Sequence, residues 1–232
     1  MNMRIHIKEN FLRIKSEIPD YVMVVLAVKM KMLEEIEEVI SAGAEIIGEN
    51  YIQEAEKLYQ QLGEKSKTLK WHMIGSLQKN KINKALRMFD CIQTIDSAEI
   101  ATALSEKAER MGKIMSVFIE INIGSEITKA GVKPEYEIIE KLAMHISKLN
   151  NLRLEGLMTM GPRVGASEAV RPYFKKTKGI FERLKAAEIS GIDLKYLSMG
   201  MSNSYRIAIE EGANMIRLGA AVFGKRICDL KN

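Results

Sequence analysis

The sequence is short of proline, cysteine and aromatic residues, and each shortage argues against a class of protein. Its 232 residues include four prolines, two cysteines and 6% aromatic residues. So few prolines, without any low-complexity stretch, argue against a disordered chain or a long linker. Cys91 and Cys228 have no CxxC or metal-ligand spacing, which argues against a disulfide framework and a metal site and indicates a reducing compartment.

Long apolar runs are also missing. No run approaches the ~20 residues that a membrane-spanning helix needs. Residues 1–15 alternate charged and apolar types and lack the apolar core of a signal peptide. These features predict a cytoplasmic protein with no membrane partner.

Charge is abundant but mixed in sign, with a formal net charge of +5. Basic residues cluster in two segments, at Lys79, Lys81, Lys84 and Arg87 and at Lys175, Lys176 and Lys178. Such clusters raise the possibility of nucleic-acid binding. Acidic runs such as residues 34–38 interleave with them, and aromatic residues are few. Solvated helix faces are the better interpretation, so no nucleic-acid partner is predicted.

Strand-like and helix-like segments alternate along the chain after an opening amphipathic helix at about residues 3–18. Eight apolar runs are typical of strands, at residues 22–28, 45–47, 69–74, 91–95, 115–121, 152–158, 194–199 and 214–218. Because helical sequence separates them, the strands must pair in parallel through right-handed crossovers. Eight such units predict a single-domain (β/α)8 TIM barrel over residues 1–232, with the barrel at about 22–226. The alternative is a doubly wound open sheet, although the turn after the first run lacks the glycines of that fold.

Lys29 is the first functional candidate because it directly follows the run 22–28. In a barrel the functional site lies at the carboxyl ends of the strands. A lysine there can be desolvated, lose its proton and form a Schiff base with a carbonyl group. Lys31 is a second candidate amine, since an extended chain would point it the same way. The alternative is that Lys29 is a solvated strand cap.

A second candidate feature follows the seventh and eighth strands, where barrels commonly bind phosphate. Gly200 and Gly219 permit close backbone approach, and free N–H groups at a helix start favour an anion. Ser198 and Ser202 can add hydrogen bonds, and the small Ala220 opens the helix. The alternative is an ordinary capping turn with Ser202 as the N-cap.

A Schiff-base lysine opposite a phosphate site suggests a phosphorylated aldehyde, and pyridoxal 5′-phosphate (PLP) carries both groups on one ring. Arg217 ends the eighth strand within reach of the pyridine nitrogen, where an arginine can only donate a hydrogen bond. The ring would then be a poor electron sink. Alternatively, Arg217 pairs with an acid inside the barrel. His72 lies on the face of its strand opposite to Trp71, so it either lines the open end of the barrel or is a packed core histidine. Acid–base catalysis by His72 with Glu49 or Asp96, without a cofactor, is a further alternative.

The chain resembles the pyridoxal phosphate homeostasis proteins in segments that run collinearly from about residue 22 to 226. The matching segments are residues 27–31, 48–54, 71–81, 96–97, 151–158, 197–202 and 216–224. Several positions depart from the family pattern. Residues 28–32 stand where these proteins often have Ser-Lys-Thr-Lys-Pro, and the acidic residue that they commonly have near Ser204 is absent. Ser76 stands where these proteins often have histidine, and Ala220 stands where they often have threonine.

This resemblance implies a single-domain barrel like the N-terminal domain of alanine racemase, with PLP held as an internal aldimine on Lys29. It implies a phosphate near the seventh and eighth strands, Arg217 near the pyridine nitrogen, and Asn50 and His72 around the ring. Met158, at the end of the sixth strand, lies within a matching segment. The cofactor-binding candidates are thus Lys29, Asn50, His72, Met158, Ser198, Ser202, Arg217, Gly219 and Ala220.

Proteins of this family are regarded as PLP carriers, mostly without demonstrable catalysis, and we expect a monomer whose partners are PLP and PLP-dependent apoenzymes. A racemase needs a second base, and we find none beside Lys29; we also expect no second domain after the eighth strand. A PLP-dependent racemase-like enzyme is nevertheless the alternative. A Schiff-base aldolase acting on a sugar phosphate and an RNA-binding protein are further alternatives.

Overall fold

The computed structural model describes residues 6–126, 130–162 and 167–224, which form a closed barrel of eight parallel strands. Each strand pairs with its neighbours in sequence, and the last pairs with the first. The strands are β1 (Met23–Ala27), β2 (Ile46–Glu49), β3 (Lys70–Met73), β4 (Cys91–Ile95), β5 (Met115–Glu120), β6 (Leu152–Met158), β7 (Tyr196–Ser198) and β8 (Met215–Leu218). The predicted (β/α)8 barrel is confirmed, and the alternative of an open, doubly wound sheet is wrong.

Helices lie outside the barrel between successive strands, because each buries an apolar stripe against it. They are α1 (Ile7–Glu17), α2 (Leu33–Ser41), α3 (Ile52–Leu62), α4 (Ile82–Met88), α5 (Ala98–Arg110), α6 (Tyr136–Ile146), α7 (Arg171–Ala186), α8 (Tyr205–Glu210) and α9 (Ala220–Phe223). Ser97 caps α5, since its hydroxyl accepts the Ile100 N–H at 3.3 Å. Within the described ranges, no helix is long and apolar enough to cross a membrane. Residues 3–5 of the predicted first helix, residues 225–226 of the predicted barrel and Cys228 lie outside those ranges.

Side chains alternate between two buried layers, as the pleat of a strand requires. The larger layer lies between the strands and the helices and contains, for example, Leu26, Trp71 and Ile216. The smaller layer fills the barrel interior, and its buried apolar members are Val25, Ile46, Ile74, Cys91, Phe118, Met158 and Met215. Polar side chains occupy the remaining inward positions toward the carboxyl ends of the strands, and this end is called the mouth below.

Both α4 and α8 begin after a turn. The first of them, α4, starts at Ile82, after a 3-10 turn at Lys79–Lys81, and Leu77 before this turn is buried in the outer layer. The helix expected from Ser202 starts at Tyr205, with Ser204 at its N-cap position. The alternative that Ser202 is an ordinary N-cap is therefore wrong for α8.

Candidate functional site

Lys29 stands at the mouth, two residues beyond the last residue of β1. The inward-facing positions of β1 are Met23, Val25 and Ala27, so Lys29 has the inward parity. Its side chain is half-buried. In the part of the chain that the structure describes, no hydrogen bond or ion pair involves its Nζ. Lys29 is thus an amine at the mouth without a fixed partner.

The turn after Lys29 separates it from Lys31. Met30 has a φ of +58°, and its N–H donates to Glu54 Oε2 at 3.3 Å. Lys31 is turned outward, where its Nζ lies 3.5 Å from both Glu35 Oε1 and the Phe223 carbonyl oxygen. The expectation that Lys31 points the same way as Lys29 is wrong, because the chain reverses at Met30 instead of staying extended.

Glu49, at the end of β2, is the acid that influences Lys29. Its side chain is 2% exposed, and one carboxylate oxygen accepts the N–H of Asn50 at 3.2 Å. Burial raises the pKa of Glu49 to about 8; the charge of Glu54 raises it further, and that of Lys29 opposes the rise. Glu49 is therefore mostly protonated at neutral pH, and it forms no ion pair that would hold the charge of Lys29.

A chain of hydrogen bonds crosses the barrel interior from β8 to β3. Arg217 Nη1 donates to Ser198 Oγ at 2.7 Å, and Ser198 Oγ donates to Gln93 Oε1 at 2.7 Å. Gln93 Nε2 lies 2.8 Å from His72 Nδ1. We call these four residues the donor chain. Three of the nine candidates, on three different strands, are thus connected by a glutamine that the sequence analysis did not select.

Among the described residues, Arg217 is buried without a carboxylate partner. Besides Ser198 Oγ, its guanidinium donates to the Ser198 carbonyl at 3.0 Å and to the Thr159 carbonyl at 2.7 Å. Burial lowers its pKa to about 10, while the charge of Glu120 acts in the opposite direction. Every acceptor that Arg217 bonds among the described residues is a neutral oxygen. Arg217 is therefore not the structural ion-pair partner that the sequence left as an alternative.

Glu120 and His72 both carry strongly shifted pKa values inside the barrel. Burial raises the pKa of Glu120 to about 7; the charge of Arg217 lowers it and that of Asp96 raises it. Burial, followed by the charge of Lys70, lowers the pKa of His72 to about 4. His72 is therefore neutral at physiological pH, while Glu120 is balanced between its two forms.

The region after β7 and β8 is closed by a side chain. Ser202 Oγ accepts the N–H of Gly219 at 3.2 Å and the N–H of Ala221 at 3.0 Å. Ala220, between them, is exposed at the start of α9. We call Ser202 and residues 219–221 the rim. Two of the amides expected to bind an anion are thus already bonded, and among the described contacts the Ala220 amide has no partner.

The two glycines of this region differ in what they require. Gly200 has a φ of +91°, and a Cβ there would lie 2.5 Å from the Cβ of Ala208, so glycine is needed. A Cβ on Gly219 would meet the Ala27 carbonyl oxygen at 3.4 Å, which is an ordinary contact.

An open cleft of about 430 Å³ lies over the carboxyl ends of β2 and β3, and Lys29 is not among its lining residues. Its volume is in the range of small-ligand sites. Its polar lining includes Asn50, Gln53, Ser76, Gln78, Lys81 and Glu120. Asn50 is the one site candidate from the sequence among the lining residues. Of the other candidates, Lys29 lies at the mouth, and the rest lie below the mouth or at the rim. Met158 is fully buried in the interior layer.

Gln93, Thr159 and Glu120 are the polar residues of the mouth that sequence reasoning missed. Gln93 lies in β4, which is buried along its length, and Glu120 ends β5, which is buried except at Ser116. A polar residue with a large side chain in such a mainly apolar strand is the signal that was available. Thr159 acts through its backbone carbonyl, which no sequence pattern reveals. The described residues contain no group of three or more metal-ligating side chains.

Residues 4–226 match the protein family described as alanine racemase, N-terminal domain. A curated relative, the pyridoxal phosphate homeostasis protein of Aquifex aeolicus, is 37% identical over 193 residues, which cover 83% of this chain and 82% of that protein.

Solved structures agree with this match. PipY of Synechococcus elongatus without PLP has a TM-score of 0.87 and 29% identity, covering 94% of this chain and 100% of PipY. PipY with PLP bound has a TM-score of 0.84 and 28% identity, with the same coverage. Alanine racemase of Clostridium difficile has a TM-score of 0.81 at 17% identity and covers 95% of this chain but 57% of the racemase, which is a likeness of fold alone.

Proposed function

The chain belongs to the pyridoxal phosphate homeostasis protein family, within the alanine racemase N-terminal domain fold, and we propose that it binds PLP as an internal aldimine on Lys29. The observation that carries this proposal is the half-buried, unpaired Nζ of Lys29 at the mouth of the barrel. The PLP-bound structure of PipY, 28% identical over 94% of this chain, supports the choice of ligand.

The residues present fit such a group. Arg217 is a buried cation whose bonded acceptors are all neutral oxygens, so a further acceptor atom on a ligand would be favourable. At the rim, the Ala220 amide and the Ser202 hydroxyl can bond phosphate oxygens, with the amides of Gly219 and Ala221 already oriented by Ser202. We propose Asn50, His72, Met158 and Ser198 as the residues that surround or support the ring.

PLP supplies an electrophilic aldehyde carbon when bound. Lys29 must be uncharged to react there, and among the described residues its Nζ has no hydrogen bond or ion pair. Arg217 can only donate, so it cannot protonate the ring nitrogen as a carboxylic acid would. This arrangement favours binding and release of the cofactor over carbanion chemistry. A homeostatic role also requires recipients, and we propose PLP-dependent apoenzymes, with the protein acting as a monomer.

The test is the visible absorption spectrum of the protein after incubation with PLP. We expect the wild type to show the absorption of a protonated Schiff base and Lys29→Ala to lose it, with PLP affinity falling by at least about tenfold. Lys31→Ala is the matched control, because Lys31 is two residues away and turned outward, and it should retain the band.

Borohydride reduction followed by peptide mass analysis identifies the modified residue. The label should reside on Lys29. A band that survives Lys29→Ala and disappears in Lys31→Ala, or a label on another lysine, would contradict the proposal.

A further inference from the structure

The direction of the first hydrogen bond in the donor chain follows from the fact that arginine has no acceptor atom. Arg217 Nη1 must donate to Ser198 Oγ, at 2.7 Å. The Ser198 hydroxyl hydrogen is then free for its other neighbour, Gln93 Oε1, at 2.7 Å. Gln93 therefore turns its oxygen to Ser198 and its NH2 group to His72.

The same reasoning assigns the histidine. Because the amide NH2 of Gln93 can only donate, His72 Nδ1 at 2.8 Å must be an unprotonated acceptor. A neutral imidazole carries one hydrogen, so that hydrogen is on Nε2. In the opposite orientation of the Gln93 amide, the buried Ser198 hydroxyl hydrogen would have no acceptor among its described contacts. The amide oxygen would also face Met215 Sδ, to which Nε2 donates at 3.2 Å. Inside the barrel, an unmade hydrogen bond is costly.

His72 Nε2 is the open end of the donor chain. No described residue makes a hydrogen bond to His72 Nε2. Every fully buried side-chain nitrogen or oxygen of the described residues does have a hydrogen-bond partner, so Nε2 is not fully buried. This nitrogen therefore keeps contact with solvent. His72 is level with Gly48 in the sheet register, and Gly48 is level with Ala27, the last residue of β1. His72 thus lies on the wall of the barrel interior two strands away from β1.

We infer that Gln93 is a positioning residue that fixes His72 as the Nε2–H tautomer, so that this N–H serves as a hydrogen-bond donor to an acceptor atom of the bound ligand. The identity of the ligand rests on the proposed function. Arg217 on β8 and His72 on β3 then both offer hydrogen-bond donors to the ligand. The ligand atoms that face these two residues must therefore be hydrogen-bond acceptors. A pyridine ring with an unprotonated nitrogen and an ionised ring oxygen has this character.

The first test needs no cofactor. Nitrogen-15 NMR of the labelled protein distinguishes the tautomers, and His6→Gln and His145→Gln variants assign the signals. We expect His72 to have hydrogen on Nε2 and none on Nδ1, and to stay neutral down to about pH 5, since burial lowers its pKa to about 4. Hydrogen on Nδ1, or a charged ring at neutral pH, would overturn the assignment.

The second test changes the glutamine. In Gln93→Glu the carboxylate can only accept, so His72 Nδ1 must take up a hydrogen, and the pKa of His72 should rise by at least about one unit. In Gln93→Met the new side chain is of similar length but cannot donate a hydrogen bond to His72 Nδ1, so both tautomers of His72 should be populated. Unchanged tautomer and titration in both variants would refute the positioning role. If neither variant folds, Ser198→Ala frees the Gln93 amide to rotate and should also mix the tautomers.

The third test concerns the ligand. Gln93→Met should weaken PLP binding about tenfold while keeping the Schiff-base absorption, because one fixed donor is lost and Lys29 is not. Unchanged affinity would refute the contact with the ligand. Failure of the proposed function would look different from failure of this inference. The wild type would then bind no PLP, although His72 in the cofactor-free protein would still carry its hydrogen on Nε2.

Discussion

The two sides of β1 use their polar groups in opposite ways. On the β8 side, Ser202 bonds the amides of Gly219 and Ala221, so the rim is held by its own side chain. On the β2 side, the cleft exposes Asn50 and Ser76, and the carboxyl of Glu49 has one backbone hydrogen bond. Lys29 lies between them, because β1 pairs with both β8 and β2.

This difference shows that a polar residue at a strand end is not by itself an open binding group. The glycines and serines after β7 and β8 predict an anion site in the sequence. In the structure, Ser202 bonds the amides of Gly219 and Ala221, and Ser198 bonds Arg217 and Gln93. The groups that stay open are Lys29, the cleft side chains and the end of the donor chain. Substitutions on the two sides should therefore act differently on stability and on binding.

The largest expected difference concerns one glycine from each side. A Cβ on Gly75 would lie 2.3 Å from the Asn50 carbonyl oxygen, whereas one on Gly219 would meet the Ala27 carbonyl oxygen at 3.4 Å. Gly75→Ala should lower the free energy of unfolding by about 3 kcal/mol through overpacking of the backbone, and Gly219→Ala by less than about 1 kcal/mol. Urea denaturation of the two variants measures both values. Equal losses would mean that the β2 side has room to relax and is not the more tightly packed of the two.

Much of the fold and part of the site could be predicted from the sequence. Alternating apolar runs and helices specify the barrel, and alternation within the strands gives Lys29 and His72 their inward parity. Alternation from the interior Cys91 also places Gln93 inside the barrel. Its partners Ser198 and His72 lie on β7 and β3, and a count along β4 does not show them. The bond from Ser202 to Gly219 spans 17 residues. Such contacts depend on how β7 and β8 come together, which local sequence does not encode.

A second prediction tests the buried acid on the β2 side. The pKa of Glu49 is raised from 4.5 to about 8, so the folded protein holds a proton that the unfolded chain releases between these values. The stability from this group is complete below about pH 4.5 and is lost as the pH rises through about 8. Glu49→Gln should therefore be more stable than the wild type by on the order of 2 kcal/mol at about pH 9 and nearly equal at about pH 4.

Thermal or urea unfolding across this pH range provides the measurement. Glu120→Gln is the matched variant, because the pKa of Glu120 is raised to about 7 and its effect should have the same sign and be complete at lower pH. A difference between Glu49→Gln and the wild type that does not change with pH would show that Glu49 is already ionised at neutral pH. Lys29 would then face a charged acid, and the account of its open amine would need revision.

The smallest expected effect compares two serines that follow strand ends. Ser202 accepts two amide hydrogen bonds, whereas Ser76 is exposed in the cleft and, in the described part of the chain, makes none. Ser202→Ala should cost about 1 kcal/mol of unfolding free energy, as removal of a helix-capping hydroxyl does, and Ser76→Ala should cost about zero.

Binding of PLP separates the roles of the two serines further. If the rim holds the phosphate, Ser202→Ala weakens binding, and pyridoxal without its phosphate should be insensitive to the same change; equal sensitivity of both ligands would place the phosphate away from the rim.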